Sequence, residues 1–182
     1  MYWFTSDEHY GHSPIIKYNN RPFANVDEMD QHLIDNFNSV VSPEDITVHA
    51  GDFCWLNKKK EVYAKYVKKL NGNHIMLVGS HDHWQPDSAK YLWRKRIEGR
   101  LVIVCHYCMY TWESSHYNSW QLFGHSHGRL VRQAKQHDIG VDNNSYYPVS
   151  FSTIQLIMDQ KPDNPSYLAL AKRDQEAVYT NQ

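Results

Sequence analysis

The chain lacks three features that would each indicate a particular class of protein. None of its apolar runs is long enough to cross a bilayer, so we expect no membrane partner. Its three cysteines, Cys54, Cys105 and Cys108, are an odd number without the spacing of a disulfide framework, which favours a reduced, cytoplasmic setting. The net charge is only -1 with histidine neutral, so we expect no extended nucleic-acid binding.

The length of 182 residues is typical of one domain. We predict that this domain covers residues 1–160. Residues after Lys161 are polar and carry no clear periodicity, so we assign 161–182 to a C-terminal extension of uncertain structure. The sequence leaves the oligomeric state open.

Short apolar segments alternate with helical patterns in the first half of the chain. The patterns predict strands over 2–5, 46–49, 75–78, 101–105, 121–123 and 139–142, and helices over 12–19, 27–40 and 58–70. Residues 149–158 fit either a short helix or a strand. This order predicts a layered α/β fold, in which functional residues follow the carboxyl ends of the strands.

Histidine is abundant, with 12 residues in the chain, and several of them lie in short fragments that follow predicted strands. These fragments are Asp7-x-His9, Gly51-Asp52, Gly79-Ser80-His81-Asp82, the single His106, and Gly124-His125-Ser126-His127. Carboxylates and imidazoles are ligands for Zn, Mn, Fe or Ni. Together the fragments predict a binuclear metal site, and Asp52, which follows a glycine at a strand end, is suited to bridge two ions.

The third fragment also contains candidates for catalysis. His81 directly follows a ligand-like position, where it could donate a proton or a hydrogen bond to a departing oxygen. Asp82 could orient His81, as carboxylates near metal sites commonly do for histidine. We therefore predict catalytic roles for His81 and Asp82.

The order of these fragments resembles the signature of calcineurin-like metallophosphoesterases, and the chain is similar to a small, single-domain member of that superfamily. The resemblance extends from Asp7 to His127, and it includes Gly140-Val141-Asp142 and Pro148-Val149-Ser150, which are similar to the family's closing segment. It implies an α/β fold: a four-layer αββα sandwich of two mixed β-sheets flanked by helices, with the metal site at the carboxyl ends of the strands.

The resemblance also implies the roles of the fragments. Two divalent metal ions are expected, most simply Mn²⁺, with Fe, Zn or Ni as alternatives. A hydroxide between them would attack phosphorus, and His81 would assist the leaving group. One ion would be bound by Asp7, His9, Asp52 and His127, and the other by Asp52, Ser80, His106 and His125.

One position departs from the family pattern. The third motif of the family has asparagine where this chain has Ser80. A serine hydroxyl is a shorter and poorer neutral ligand than an amide oxygen, so we expect the second metal site to be weaker than in relatives. The sequence leaves open whether Ser80 is natural or introduced.

Residues that could contact the substrate are less clearly indicated. His12 follows His9 by three residues and could face the open site, or it could be a surface histidine. Arg21 could pair with a substrate phosphate, which its forked guanidinium suits, or form a structural ion pair. Trp84, Trp112 and Trp120 could stack a base beside the site, or they could lie in the core or at its rim.

The function that we expect from these features is a phosphodiesterase acting on a nucleotide or another small phosphate ester. The alternatives are a phosphomonoesterase or a nuclease of the same superfamily, and a catalytically impaired scaffold that still binds metal.

Overall fold

The computed structural model describes residues 1–85, 89–130, 134–165 and 167–168. Its strands are β1 (Tyr2–Thr5), β2 (Ile46–His49), β3 (Asn73–Met76), β4 (Leu92–Ile97), β5 (Arg100–Cys105), β6 (Trp120–Phe123), β7 (Gln136–Asp138) and β8 (Val149–Ser150). Its α-helices are α1 (Ser13–Tyr18), α2 (Val26–Val40), α3 (Lys59–Lys65) and α4 (Phe151–Gln160). Short 3₁₀ turns lie at Val67–Lys69, Ser115–Tyr117 and Val141–Asn143.

The strands form two mixed sheets of four strands each, in the orders β3-β2-β1-β8 and β4-β5-β6-β7. In the first sheet β1, β2 and β3 are parallel, and β8 is antiparallel to β1. In the second sheet β5, β6 and β7 are parallel, and β4 is antiparallel to β5. The predicted α/β class with two mixed sheets flanked by helices is confirmed.

Two apolar clusters hold these layers together. The cluster between the sheets takes alternate residues from their facing sides, including Phe4, Val48, Val102, Val104, Trp120 and Leu122, and it is extended by Ile154 and Met158 of α4. A second cluster lies between the first sheet and α1 to α3, and it includes Met29, Leu33, Ile34, Phe37, Val62 and Tyr66. Full burial of one large apolar side chain contributes about 1.5–3 kcal/mol, so these clusters are the main source of stability.

Helix α2 is stabilised both by capping residues at its start and by burial of its apolar face. Asn25 caps its first turn by accepting from the backbone N–H of Glu28 at 2.9 Å, and the Glu28 carboxylate accepts from Ala24 N at 2.9 Å. Met29, Leu33 and Phe37 then recur at helical spacing and are buried. The helix ends at Val40, before Ser42 and the helix-breaking Pro43.

The outer face of the second sheet is covered by the segment 107–119. Gln121 of β6 points away from the inter-sheet cluster, since its neighbours Trp120 and Leu122 point into it. Its amide donates to Tyr107 O at 2.9 Å and accepts from Met109 N at 3.1 Å. The loop 107–119 is therefore fixed on this face by hydrogen bonds.

The elements differ from the sequence predictions at several places. Strand β4 was not predicted, because three of its six residues are basic; it pairs with β5 through a tight turn at Glu98-Gly99, both with positive φ. The strand predicted over 139–142 is wrong: β7 ends at Asp138, and a 3₁₀ turn follows. The segment 149–158 contains both a strand and a helix, because the Ser150 hydroxyl caps α4 by accepting from Thr153 N at 3.1 Å.

The predicted C-terminal extension begins where α4 ends, at Gln160. Asn164 is buried, and its side chain donates to Ser115 O at 2.9 Å and to Ser119 O at 3.1 Å. The start of the extension is therefore docked on the domain, whereas residue 166 and residues 169–182 lie outside the described part. Among the described residues, no helix combines the length and apolar character needed to cross a bilayer.

Candidate metal centre

The fragments predicted to bind metal converge at one edge of the two sheets. The loops after β1 and β2 continue to pair beyond the strands, since Asp7 N donates to Gly51 O at 3.1 Å and His9 N donates to Asp52 O at 3.0 Å. In the second sheet, Gly124 N donates to His106 O at 3.0 Å. Parallel strands place their carboxyl ends at the same edge, so fragments far apart in sequence become neighbours.

Six of the seven predicted ligands form two groups in which one ligand atom per residue lies within 4.8 Å of the others. The first group is Asp7, His9 and His127, and the second is Asp52, His106 and His125. The Oδ2 atom of Asp52 lies 3.3 Å from His106 Nε2 and 3.7 Å from His9 Nε2. Asp52 thus belongs to the second group and also faces His9 of the first, where a bridging carboxylate would be needed.

The rings of His9 and His106 are oriented so that Nε2 faces Asp52. His106 Nδ1 contacts Ala50 O at 3.0 Å, and His127 Nδ1 contacts Asp142 Oδ2 at 2.7 Å. The contact with a carbonyl oxygen favours a proton on His106 Nδ1. His127 Nδ1 lies equally close to the Asn19 amide nitrogen, at 2.7 Å, so its contacts fix the ring without assigning the proton.

A metal ion would be a suitable partner for the ring nitrogens that make no hydrogen bond. The Nε2 atoms of His9 and His106 are buried and have no hydrogen-bond partner within the described chain. Buried polar atoms are normally paired, and a divalent cation is a partner that suits imidazole nitrogens beside carboxylates. The donor set of two histidines and one carboxylate in each group therefore fits the implied ions.

The backbone is strained at the same residues. Positive φ angles are uncommon outside glycine, yet they occur at five of the predicted ligands: Asp7 (60°), His9 (54°), Asp52 (54°), His125 (65°) and His127 (48°). Each costs about 1–3 kcal/mol and persists only where the surrounding structure enforces it, and such residues cluster at functional sites. The strain is therefore an independent indication of function.

Two glycines are required by the close approach of the loops. A Cβ atom at Gly79 would overlap the backbone nitrogen and the carboxylate of Asp52. A Cβ atom at Gly124 would overlap the Ser6 hydroxyl and crowd the Asp7 carboxylate. Gly79 and Gly124 thus let the backbone reach the carboxylates.

The surroundings of Asp7, Asp52 and His9 shift the pKa values of these groups in different directions. Burial raises the pKa of Asp7 to about 7, although the His106 and His127 rings oppose this. Burial also opposes ionisation of Asp52, but the facing His106 ring holds the pKa of this carboxyl well below its ordinary range. Burial lowers the pKa of His9 to about 2, so its ring is neutral and can act as a ligand.

Ser80, the seventh predicted ligand, contacts the carboxylate of Asp52. Its Oγ lies 3.0 Å from Asp52 Oδ2 and 3.3 Å from Oδ1, and the backbone N–H of His81 donates to Asp52 Oδ1 at 2.9 Å. The serine therefore fixes the orientation of the carboxylate that lies between the two groups.

Asp82 has a different role from the one that the sequence suggested. Its buried carboxylate accepts from Asp52 N at 2.7 Å, Phe53 N at 2.9 Å and Gly79 N at 2.9 Å, as well as from Cys54 N and the Trp84 indole. These donors belong to the loops after β2 and β3, whereas His81 contacts Asp52 and the rings of His9, His12 and Trp55. The prediction that Asp82 orients His81 is corrected: Asp82 positions Asp52.

His81 and His12 line an open cleft of about 550 Å³ above the two groups. The His81 side chain is 39% exposed, and its Nε2 lies 4.0 Å from Asp52 Oδ2. His12 is held by a 3.3 Å contact between its Nδ1 and that of His9. Both histidines are thus within reach of a molecule in the cleft.

Arg21 does not reach this cleft. Its buried guanidinium forms a bidentate pair with Asp142, in which both distances are 2.8 Å, and it also donates to Glu8 O at 2.9 Å and to Asp7 O at 2.7 Å. The proposed contact of Arg21 with a substrate phosphate is therefore corrected to the structural ion pair, which supports the strained loop at Asp7.

Four aromatic or polar residues that line the cleft were not singled out from the sequence: Tyr18, Asn19, Trp55 and Arg129. Trp84 and Trp120, considered as aromatic platforms, are buried in the two apolar clusters, and Trp112 donates to Ser119 O at 3.1 Å. The proximity of Trp55 to Asp52, only three residues along the chain, was the available signal.

Comparisons with known proteins support the fold but name no activity for this chain. No family model matches it. It is 28% identical over 174 residues to an uncharacterized protein of Methanocaldococcus jannaschii, covering 87% of this chain and 91% of that protein. A protein of unknown function from Aquifex aeolicus has the same fold, with a TM-score of 0.66 and 23% identity over 86% of this chain and 98% of its own.

A more distant structure, from Streptococcus pneumoniae, is that of a conserved uncharacterized protein described as a predicted phosphoesterase. Its TM-score is 0.33 at 12% identity, over 69% of this chain and 62% of its own. A likeness of this size carries no argument for the function of the present chain.

Proposed function

We propose that this protein is a metal-dependent phosphoesterase of the calcineurin-like type that acts on a phosphodiester of small or nucleotide-like size. The observation that supports this most is the arrangement of two groups of Asp and His ligand atoms around the single carboxylate of Asp52. The strained backbone and the unpartnered Nε2 atoms at the same place add to it.

The proposed chemistry divides between the ions and the chain. When bound, two divalent ions at such a centre lower the pKa of water and neutralise charge on a phosphoryl group. Asp7, His9, Asp52 and His127 would hold one ion, and Asp52, His106 and His125 would hold the other. The chain itself contributes rigidity, because the strained loops and the Arg21–Asp142 pair fix these side chains before a ligand arrives.

His81 is the proposed proton donor to the leaving oxygen. It lies on the cleft side of Asp52 and is half-exposed, so it can exchange protons with solvent between turnovers. An open cleft accepts a second substituent on phosphorus, which is the basis for preferring a diester over a monoester.

Mn²⁺ is the proposed ion, with Fe, Zn and Ni as competitors for the same ligands. Mixed carboxylate and imidazole ligation suits all four, and availability of the metal then decides between them.

The test is hydrolysis of bis(p-nitrophenyl) phosphate beside p-nitrophenyl phosphate by chelated protein, before and after addition of Mn²⁺. We expect diester cleavage that requires the metal, and its loss together with metal binding in Asp52→Asn. Asp159→Asn, at an exposed position of α4, is the matched control and should behave as wild type.

Other outcomes separate the alternatives. Faster cleavage of the monoester would replace the diesterase by a phosphomonoesterase. Tight metal binding without turnover of either ester would favour the metal-binding scaffold. Failure to bind any divalent ion would contradict the proposal as a whole.

A further inference from the structure

Trp55 is an exposed aromatic side chain whose orientation is fixed. It lies in the loop after β2, three residues beyond Asp52, and 44% of its surface is exposed. Its indole stacks on the His12 ring with centroids 4.0 Å apart and planes 4° apart. His12 is itself held against His9, so the indole rests on a rigid support.

The indole is close to the proposed reacting centre. Its centroid is 5.0 Å from that of the His81 ring, and His81 Nε2 is 4.0 Å from Asp52 Oδ2. One side chain therefore separates Trp55 from the carboxylate that lies between the two ligand groups. A group attached to a reacting phosphate would lie within reach of the indole.

The cleft around Trp55 offers more room than a phosphate group requires. Its volume of about 550 Å³ is within the range of sites for small organic ligands. Tyr18 adds a second exposed aromatic ring, and the Arg129 guanidinium contacts Asn19 Oδ1 at 2.5 Å. The lining thus combines flat aromatic surfaces with one cation, beside the candidate metal ligands.

We propose that Trp55, supported by His12, is a subsite for a planar heteroaromatic group of the substrate, so that the preferred phosphate ester carries a nucleobase or a similar ring. This inference rests on the proposed function for the reaction at phosphorus. Stacking is the appropriate interaction, because every base presents a flat π-face to a preoriented indole. The phosphate then lies towards Asp52 and His81.

The test compares two ligands that differ in the base. Titration calorimetry of Mn²⁺-loaded protein would measure the binding of adenosine 5′-monophosphate and of ribose 5-phosphate. We expect the nucleotide to bind roughly 5- to 150-fold more tightly, the range for stacking of one base on an aromatic side chain. Trp55→Ala should remove this preference, and Trp55→Phe should retain part of it.

Tyr110→Ala is the matched control, because Tyr110 is 93% exposed and does not line the cleft. Equal binding of the two ligands to wild type, or a preference that survives Trp55→Ala, would overturn the subsite. These measurements need no turnover, so they are independent of the hydrolysis assay. A protein that prefers the nucleotide but cleaves no ester would retain the subsite and lose the proposed function.

Discussion

Replacement of Asp82 tests whether this carboxylate supports the centre or acts on His81. Its two oxygens divide five donors between them: Oδ2 accepts from Asp52 N and Gly79 N, and Oδ1 accepts from Phe53 N, Cys54 N and the Trp84 indole. Asp82→Ala leaves all five donors without this partner in a buried place. Asp82→Asn retains one acceptor oxygen and turns an NH₂ group towards the remaining N–H donors.

The expected loss of stability follows from the number of hydrogen-bond donors that lose Asp82 as their partner. A hydrogen bond to a charged group contributes about 1.5–3 kcal/mol, but the loops relax and water enters, and single substitutions seldom cost more than about 4–5 kcal/mol. We expect Asp82→Ala to lower the free energy of unfolding by about 4 kcal/mol and Asp82→Asn by about 2 kcal/mol. For a chain of this size, the melting temperature then falls by about 8–16 °C and about 4–8 °C.

Thermal and urea unfolding in the presence of a chelator would measure these changes without a contribution from metal binding. Asp159→Asn is again the control. A melting temperature of Asp82→Ala close to that of wild type, together with reduced turnover, would refute the structural role and restore the sequence-based one.

Three further predictions concern the metals, catalysis and pH. Ser80→Asn should raise the affinity for the second ion by about tenfold or more, because an amide oxygen replaces a hydroxyl. Unchanged metal binding in titration calorimetry would show that Ser80 does not weaken that site. His81→Ala should keep the metal content, measured by elemental analysis, and lower turnover roughly 10²–10⁴-fold, whereas loss of metal would identify His81 as a ligand. Burial lowers the pKa of His74 to about 4, with the neighbouring His49 ring adding to this. The unfolded chain therefore takes up a proton between pH 6.5 and 4 while the folded chain does not, so stability is greatest above pH 6.5 and falls as the pH drops through this window. His74→Gln should remove about 1–3 kcal/mol of that fall in stability, after allowance for partial exposure of the ring. Urea unfolding of both proteins at pH 7 and pH 4.5 would measure the difference. An equal fall in the two proteins would contradict the assignment to His74.

The fold class and the position of the candidate site residues after strands could be predicted from local sequence patterns. Short apolar segments alternate with amphipathic helices, and this periodicity depends only on neighbouring residues. Since each ligand-like fragment directly follows such a segment, its place at a strand end could be predicted. Strand β4 escaped prediction because pairing with β5 and partial burial of Trp93 outweigh its basic composition.

Which of these residues come together could not be predicted, because it depends on how the strands pair and how the sheets pack. His127 joins Asp7 and His9 from more than a hundred residues away, because β1 and β6 place their carboxyl ends at the same edge. Sequence spacing carries no information on where a ring nitrogen or a carboxylate points, since that depends on contacts made after the sheets have packed.

Contacts formed in the packed fold also explain why Asp82 and Arg21 have other partners than the sequence suggested. Asp82 was assigned to its sequence neighbour His81, but its hydrogen bonds cross to the loop after β2. For Arg21 a substrate phosphate and a structural ion pair were both considered, and its partner is Asp142, 121 residues away. Buried polar groups take whichever partners the packed chain brings near them, so their roles follow from the fold and not from local spacing.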